Sequence, residues 1–172
     1  MLFRSGFTYV LKEASQGGTT GNYQALRYNL CPSGNCVGIT VGAGLYRCLM
    51  EYGMCCPVTI GQSVTTETGN MSGPTATAVQ YRFDQDTDPR PNICYSDYRG
   101  NGSRVVTVPL TTLPGNGASQ VTVTGFATFF LKDIPGSGRN STITGEFINA
   151  IVPGIGGGPT AGVTAHSLRL IE

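Results

Sequence analysis

The sequence predicts a mainly β fold, an antiparallel sheet or β-sandwich, with one or two short helices in the N-terminal half and disulfide staples there. Three observations carry this. Several segments rich in Val, Thr, Ile and Phe alternate apolar and polar residues, the period of a half-buried strand. Twenty-five Gly and ten Pro punctuate a chain of 172 residues without a fixed period, which means many turns and few long helices. Six cysteines fall at 31, 36, 48, 55, 56 and 94 and cluster toward the first half.

Residues 7–12 (FTYVLK) alternate and favour β structure, so they read as a strand, and residues 22–30 (NYQALRYNL) as a second. Residues 15–21 form a polar link. Residues 31–36 (CPSGNC) hold Pro, Gly and Asn between two cysteines. They form a turn, closed by its own disulfide or stapled to a neighbour. Residues 44–52 (GLYRCLMEY) have helical spacing, with Leu45, Cys48 and Leu49 on one face and Gly53 as the stop. The chain is organised around residues 58–82. An alternating stretch at 58–66 runs into the turn formers GNMSGP at 69–74, then into a short helix over 75–83. Ser72 or Asn70 is the expected cap, Pro74 belongs to the first turn, and Ala76, Val79 and Phe83 face inward. Residues 84–91 (DQDTDPRP) make a polar loop.

From residue 104 the pattern is cleaner. Residues 104–110, 120–131, 141–152 and 166–172 read as four strands, joined by turns at 114–117 and 135–140 and a glycine loop at 154–158. Gly125 marks a bulge or a close packing contact within the longest of them. Short connections make an antiparallel meander the expected order. The chain reads as one domain over 1–172, with a Cys-rich subregion at about 21–98 and the strand meander at about 104–172.

Composition excludes several functions. Charged residues make up 12%, against roughly 25% in an ordinary soluble domain, and net charge is +1. There is no basic field for nucleic acid and no polybasic run for anionic lipid. No stretch approaches the ~18 apolar residues of a membrane span. Met1-Leu2-Phe3-Arg4-Ser5 has no charged segment leading into an apolar one, so no signal peptide is read there. The even number of clustered cysteines fits a disulfide framework, with Cys31, Cys36, Cys48, Cys55, Cys56 and Cys94 as candidates and their pairing open. Zinc is disfavoured. Cys31 and Cys36 form one C-x4-C pair, and the adjacent side chains of Cys55 and Cys56 diverge.

No catalytic set is visible, and no cofactor is implied. Asp84, Asp86 and Asp88 carry carboxylates at alternating positions, the start of an oxygen-ligand calcium loop. An EF-hand is excluded because Pro89 and Tyr95 stand where Gly and Glu are required. An irregular calcium site competes with a solvated acidic turn, and the turn is preferred. The glycine loop at 154–158 lacks the Lys-Ser/Thr of a phosphate cradle. His166, the only histidine, has no nucleophile motif nearby and reads as an edge histidine. Glu67 and Glu146 are the remaining acid–base pair to consider, with structural or solvated roles preferred. Tyrosines at 23, 28, 46, 52, 81, 95 and 98 form either an exposed binding face or a partly buried shell around the Cys-rich part.

Several stretches in order carry a family resemblance: GNYQAL at 21–26, IGQSVTTETGNMSGPT at 60–75, RVVTVP at 104–109, GFATFFL at 125–131, ITGEF at 143–147 and LRLI at 168–171. From about Gly21 the chain resembles the C-terminal extracellular region of bacterial TadE/TadG-like proteins, which are associated with assembly of Flp-type (tight adherence) pili. The resemblance implies a non-enzymatic extracellular or periplasmic domain. In the full-length protein a membrane helix would precede it, and that anchor is missing here. Implied partners are pilin, pilus-assembly proteins or a cell-envelope component. The family offers no catalytic motif, and this chain carries more cysteines than its pattern. The alternative reading is a secreted carbohydrate- or ligand-binding module.

Overall fold

One long strand sets the architecture. Residues 120–131 alternate at first and then become wholly apolar, and they form β5 (Gln120–Leu131), buried at every second position and then almost throughout. A computed structural model describes residues 4–12, 22–28, 35–39, 42–54, 56–69, 71–112, 115, 117–136 and 142–151. Around β5 stand β1 (Thr8–Lys12), β2 (Asn22–Arg27), β3 (Ser63–Thr68), β4 (Val105–Thr111) and β6 (Ile143–Ile151). Two helices, α1 (Gly42–Tyr52) and α2 (Ser72–Asp84), lie in the first half, with a short 3-10 turn at Tyr95–Asp97. The mainly β fold with helices in the N-terminal half is therefore what the chain adopts.

All strand pairs are antiparallel, and the order is β1-β6-β5-β3-β2 with β4 also paired to β5. This is not the simple meander expected from connection length. Only β4–β5 and β5–β6 are sequential neighbours without a helix between them, and β1 pairs instead with β6 at the far end of the chain. Val123 exchanges both backbone bonds with Gly61 and Gln62, whereas the Thr122 carbonyl accepts from Thr112 just past β4. Successive residues of a strand point their backbone groups to opposite edges, so β3 lies on the edge away from β4. The first residues of β5 thus serve β3 and its later residues serve β6. Between them the β4 register slips, with Leu110 opposite Gly125 and Thr111 opposite Val123. This is the irregularity that Gly125 signals. A strand bent in this way joins two sheet halves round one interior.

The helices form as their spacing predicts. In α1, Leu45 and Cys48 are buried, and Gly53 ends the helix at φ 75° with its N–H on the Leu49 carbonyl at 2.9 Å. Cys36 and Cys48 form a disulfide with Cα atoms 5.8 Å apart, which staples the turn at 35–38 to α1. In α2 two details differ from expectation. Ser72 is the first helical residue rather than the cap. The cap is Met71 in the left-handed region (φ 52°), with no side-chain hydrogen bond, and Asn70 lies outside the described residues. The buried face is Thr75, Ala78, Val79 and Arg82, so Ala76 and Phe83 are only half-buried. Hydrophobicity alone misphases the helix because two of its inward residues are polar and hydrogen-bonded. Thr75 Oγ1 meets Tyr46 Oη at 3.0 Å. Arg82 donates to the Met50 and Glu51 carbonyls at 2.6 and 3.1 Å, closing the C-terminus of α1, and to the Ser103 carbonyl at 2.6 Å.

Three apolar clusters fill the interior. One gathers Tyr28, Val58, Val64, Val121, Val123 and Phe126; the second gathers Val79, Leu131 and Ile143; the third gathers Ala127, Phe129 and Phe147. The expected strand at 166–172, the glycine loop at 154–158 and His166 lie outside the described residues.

Candidate functional site

The three aspartates of the acidic loop part ways: Asp86 and Asp88 are drawn into contacts with arginines, and Asp84 stays exposed. Asp86 and Arg104 make an ion pair at 2.5 Å with side chains 1% and 0% exposed. The other Asp86 oxygen accepts from the Tyr98 hydroxyl at 2.9 Å and from the Asp88 N–H at 3.1 Å. Asp88 takes a two-pronged contact from Arg90 at 2.8 and 2.7 Å and the Arg99 N–H at 2.9 Å. Asp84 is exposed and accepts from Gln80 one helical turn earlier. Arginines engage the Asp86 and Asp88 carboxylates, and Gln80 engages that of Asp84. Among the described residues no cluster of His, Cys, Asp or Glu is arranged to hold a metal ion.

Arg104 is the centre of this knot. Its guanidinium lies 4.8, 5.1 and 4.7 Å from the ring centroids of Phe83, Tyr98 and Phe130. It also donates to the Arg90 and Asp88 carbonyls at 3.2 and 3.1 Å. A fully buried charge is tolerable only with such complete partnering. Burial, followed by the bond to Asp86, pushes the Tyr98 hydroxyl up to about 12. Gly100 sits where the loop has no room for a side chain. A methyl group there would overlap Asp86 Oδ1 and press on the Tyr98 ring and hydroxyl. Gly100→Ala is expected to cost about 1–3 kcal/mol, the range of an overpacked core, measurable by urea denaturation; an unchanged midpoint would refute the close approach.

The other candidate acids are structural. Glu67 is 4% exposed and accepts from Arg27 at 2.6 and 3.0 Å and from the Gly42 N–H at 3.2 Å, at the start of α1. Glu146 accepts from the Tyr95 N–H at 3.2 Å and pairs with Lys132 at 3.5 Å. Glu146 lies beside Phe130 and Glu67 beyond the start of β5, at opposite ends of a strand whose twelve residues run about 40 Å when extended. They do not form an acid–base pair. The hydrogen bond from Arg27 holds the Glu67 carboxyl below its ordinary range, and Arg90 and the Arg99 N–H hold Asp88 well below it. Both groups therefore bind fewer protons in the folded state, and stability is complete only above the ordinary carboxylate pKa of about 4. Urea midpoints are expected to stay level from neutral pH down to about 5 and to fall progressively below about 4. A midpoint flat into strong acid would contradict this.

The cysteines divide. Cys36–Cys48 is bonded and Cys56 is likewise disulfide-bonded, while Cys31 and Cys55 lie outside the described residues. Cys94 is free and exposed, which corrects its place among the disulfide candidates. Its loop is tied to the far end of β5 and to β6 through Asn92 N–H to the Lys132 carbonyl and Tyr95 N–H to Glu146, and its thiol lies 3.8 Å from Lys132 Nζ. Among the described cysteines, Cys36, Cys48 and Cys56 are bonded and Cys94 is free. Intact mass is expected to rise by about 4 Da on reduction, two hydrogens per bridge, and a mild alkylating agent should label Cys94 first. A rise of about 6 Da would restore the three-bridge expectation.

Among the tyrosines whose side chains are described there is no common exposed face, and the Tyr23 side chain lies outside the described residues. Tyr28 and Tyr46 are buried, Tyr52 and Tyr95 are exposed, and Tyr81 and Tyr98 fall between.

An apolar cavity of about 570 Å³ lies between the sheet and α1. Its walls include Leu11, Leu26, Leu49, Met54, Val108 and Leu110. Polar side chains interrupt that lining, among them two cations and a phenol. Lys12 on β1 and Arg82 on α2 are each 4% exposed, and Tyr28 after β2 is 8% exposed. The Tyr28 hydroxyl has no hydrogen-bond partner among the described residues. Burial lowers the pKa of Lys12 and draws Arg82 down to about 10. No carboxylate lines the cavity among the described residues. Sequence reading misses this site. Its lining comes from six strands and two helices, with Lys12 inside an alternating strand and Arg82 inside helix α2. No known protein family, curated protein or solved structure matches this chain.

Proposed function

We propose that this chain is the non-enzymatic extracellular or periplasmic domain of a membrane-anchored bacterial surface protein associated with assembly of Flp-type pili, and that it acts by binding. The observation that carries the reading is the Cys36–Cys48 disulfide in a β-rich chain of low charge, since such bridges persist in oxidising compartments. The resemblance of its ordered stretches to TadE/TadG-like proteins names the partners: pilin, other assembly proteins or a component of the cell envelope. The buried acids are engaged by arginines and backbone N–H groups, which is consistent with a rigid scaffold. The test is crosslinking and co-purification from bacteria that carry the gene. Recovery of pilin or assembly proteins from the envelope fraction is expected. Recovery from the cytoplasm with fully reduced cysteines would overturn the reading.

A second reading, a ligand-binding module, is favoured by one observation, the cavity of about 570 Å³. That volume lies in the usual range of small-molecule sites. Its mostly apolar walls suit a hydrocarbon better than a sugar. A glycan screen is expected to give no saturable binding, and a saturable sugar would reverse that choice.

A further inference from the structure

The Tyr28 phenol and the engaged state of the polar groups around it narrow the occupant of the cavity to an uncharged class, an assignment that rests on the ligand-binding reading. Six consecutive residues of β4, Val106 to Thr111, line the cavity, so it follows that strand for about 17 Å. At one end, Thr111 pairs in register with Val123, and Val123 packs in one cluster with Tyr28 and Val121, against which Leu49 of α1 lies. At the other end, Val106 packs on the cluster of Val79, Leu131 and Ile143. Tyr28 therefore stands at one end of a long apolar space whose length β4 sets.

Most polar side chains of the lining are already satisfied within the protein. Tyr46 Oη meets Thr75 Oγ1 and Thr107 Oγ1 meets Thr128 Oγ1, each at 3.0 Å. Arg82 donates to three backbone carbonyls, and Lys12 is likewise engaged. A charged head group entering the cavity would give up its water without gaining a new ion pair in return. The Tyr28 hydroxyl differs. It is buried, and among the described residues it has no hydrogen-bond partner. Burial pushes the phenol pKa up, so the group keeps its proton and is a donor that lacks an acceptor. We propose that the cavity binds an uncharged single-chain lipid with one oxygen atom, a long-chain alcohol or ketone, with its hydrocarbon along β4 and its oxygen accepting from the Tyr28 phenol.

The test uses the oxidised protein, stripped of bound lipid, and five probes: octanol, decanol, 2-decanone, decanoate and decyltrimethylammonium. Titration calorimetry is expected to find one site per chain. Decanol should bind about fifteenfold tighter than octanol, about fourfold for each methylene taken out of water. The ketone, which only accepts hydrogen bonds, should match decanol. Decanoate and the ammonium should each bind about tenfold or more weaker than decanol, the scale of an uncompensated loss of hydration. Tyr28→Phe should weaken decanol about fivefold, the scale of one neutral hydrogen bond, and leave the step from octanol to decanol unchanged. Without ligand, the thermal midpoint of Tyr28→Phe should equal or exceed that of the parent, because the hydroxyl gives up no partner. Leu49→Trp should fill the cavity beside Tyr28 and abolish binding, with an unaltered circular dichroism spectrum as the control for folding; Leu26→Trp makes the same test from β2.

Decanoate or the ammonium binding as tightly as decanol would overturn the uncharged assignment and leave the ligand-binding reading standing. Decanol binding unchanged by Tyr28→Phe would overturn the role of the phenol, as would a lowered midpoint of that variant without ligand. Failure of every probe to bind would overturn the ligand-binding reading as well, as would binding unaffected by a folded tryptophan variant.

Discussion

Replacing Arg104 by methionine is expected to cost about 3–5 kcal/mol of stability, because it strands the Asp86 carboxylate inside the protein. For a chain of this size each kcal/mol corresponds to about 2–4 °C, so the thermal midpoint should fall by roughly 10 °C or more. The magnitude follows from completeness of burial. Both side chains are essentially inaccessible to water, and the guanidinium is closed in by Phe83, Tyr98 and Phe130. Methionine retains most of the apolar contact with those rings, so the loss reports on charge rather than on volume. Lysine at the same position should recover only part of the loss. It restores the charge but not the planar fork that reaches Asp86 and two carbonyls together. The double variant Arg104→Met with Asp86→Asn should be more stable than the two single losses predict, since it removes both unpaired charges. A single variant within about 1 kcal/mol of the parent would mean that solvent reaches the pair.

This knot also marks the boundary of what can be read from sequence. The strands β1, β2, β4, β5 and β6 and the helix α1 announce themselves, since each needs only local periodicity and a turn former at its end. The Gly125 irregularity and the Gly53 stop are equally local. What fails is whatever depends on a partner distant in sequence. The pairing of β1 with β6 joins Thr8 to Glu146, and no local pattern encodes it. Choosing between a calcium site and a solvated turn for the acidic loop counts carboxylates without their cations. Arg90, Arg99 and Arg104 follow within twenty residues of Asp84, and that matching supply of guanidinium groups is the available sign of an ion-pair network. Tyr28 and Lys12 leave no such sign. Each sits in a short alternating segment, and its burial is decided by helix α1 and by the bend of β5.

Removing the Cys36–Cys48 bridge is the other large effect expected. The bond joins residues twelve apart in sequence, and closing a loop of that length stabilises by about 3 kcal/mol through the entropy of the unfolded chain. Both cysteines are buried, at 7% and 5% exposure, so alanine at both positions also leaves a small void. The consequence should be focused. The turn at 35–38 is held to α1 by this bridge, and α1 in turn presents Leu49, Met50 and Met54 or its flank to the cavity. Hydrogen exchange in α1 should therefore accelerate more than in β5, whose pairing with β4 and β6 does not involve the bridge. Urea denaturation of Cys36→Ala/Cys48→Ala measures the first effect and exchange the second. The same variant bears on compartment. A domain that loses this much stability on reduction is poorly suited to a reducing cytoplasm, so a loss of about 3 kcal/mol supports an exported protein. If the variant instead matches the parent in both measurements, the bridge is dispensable and the strongest physical support for export disappears with it.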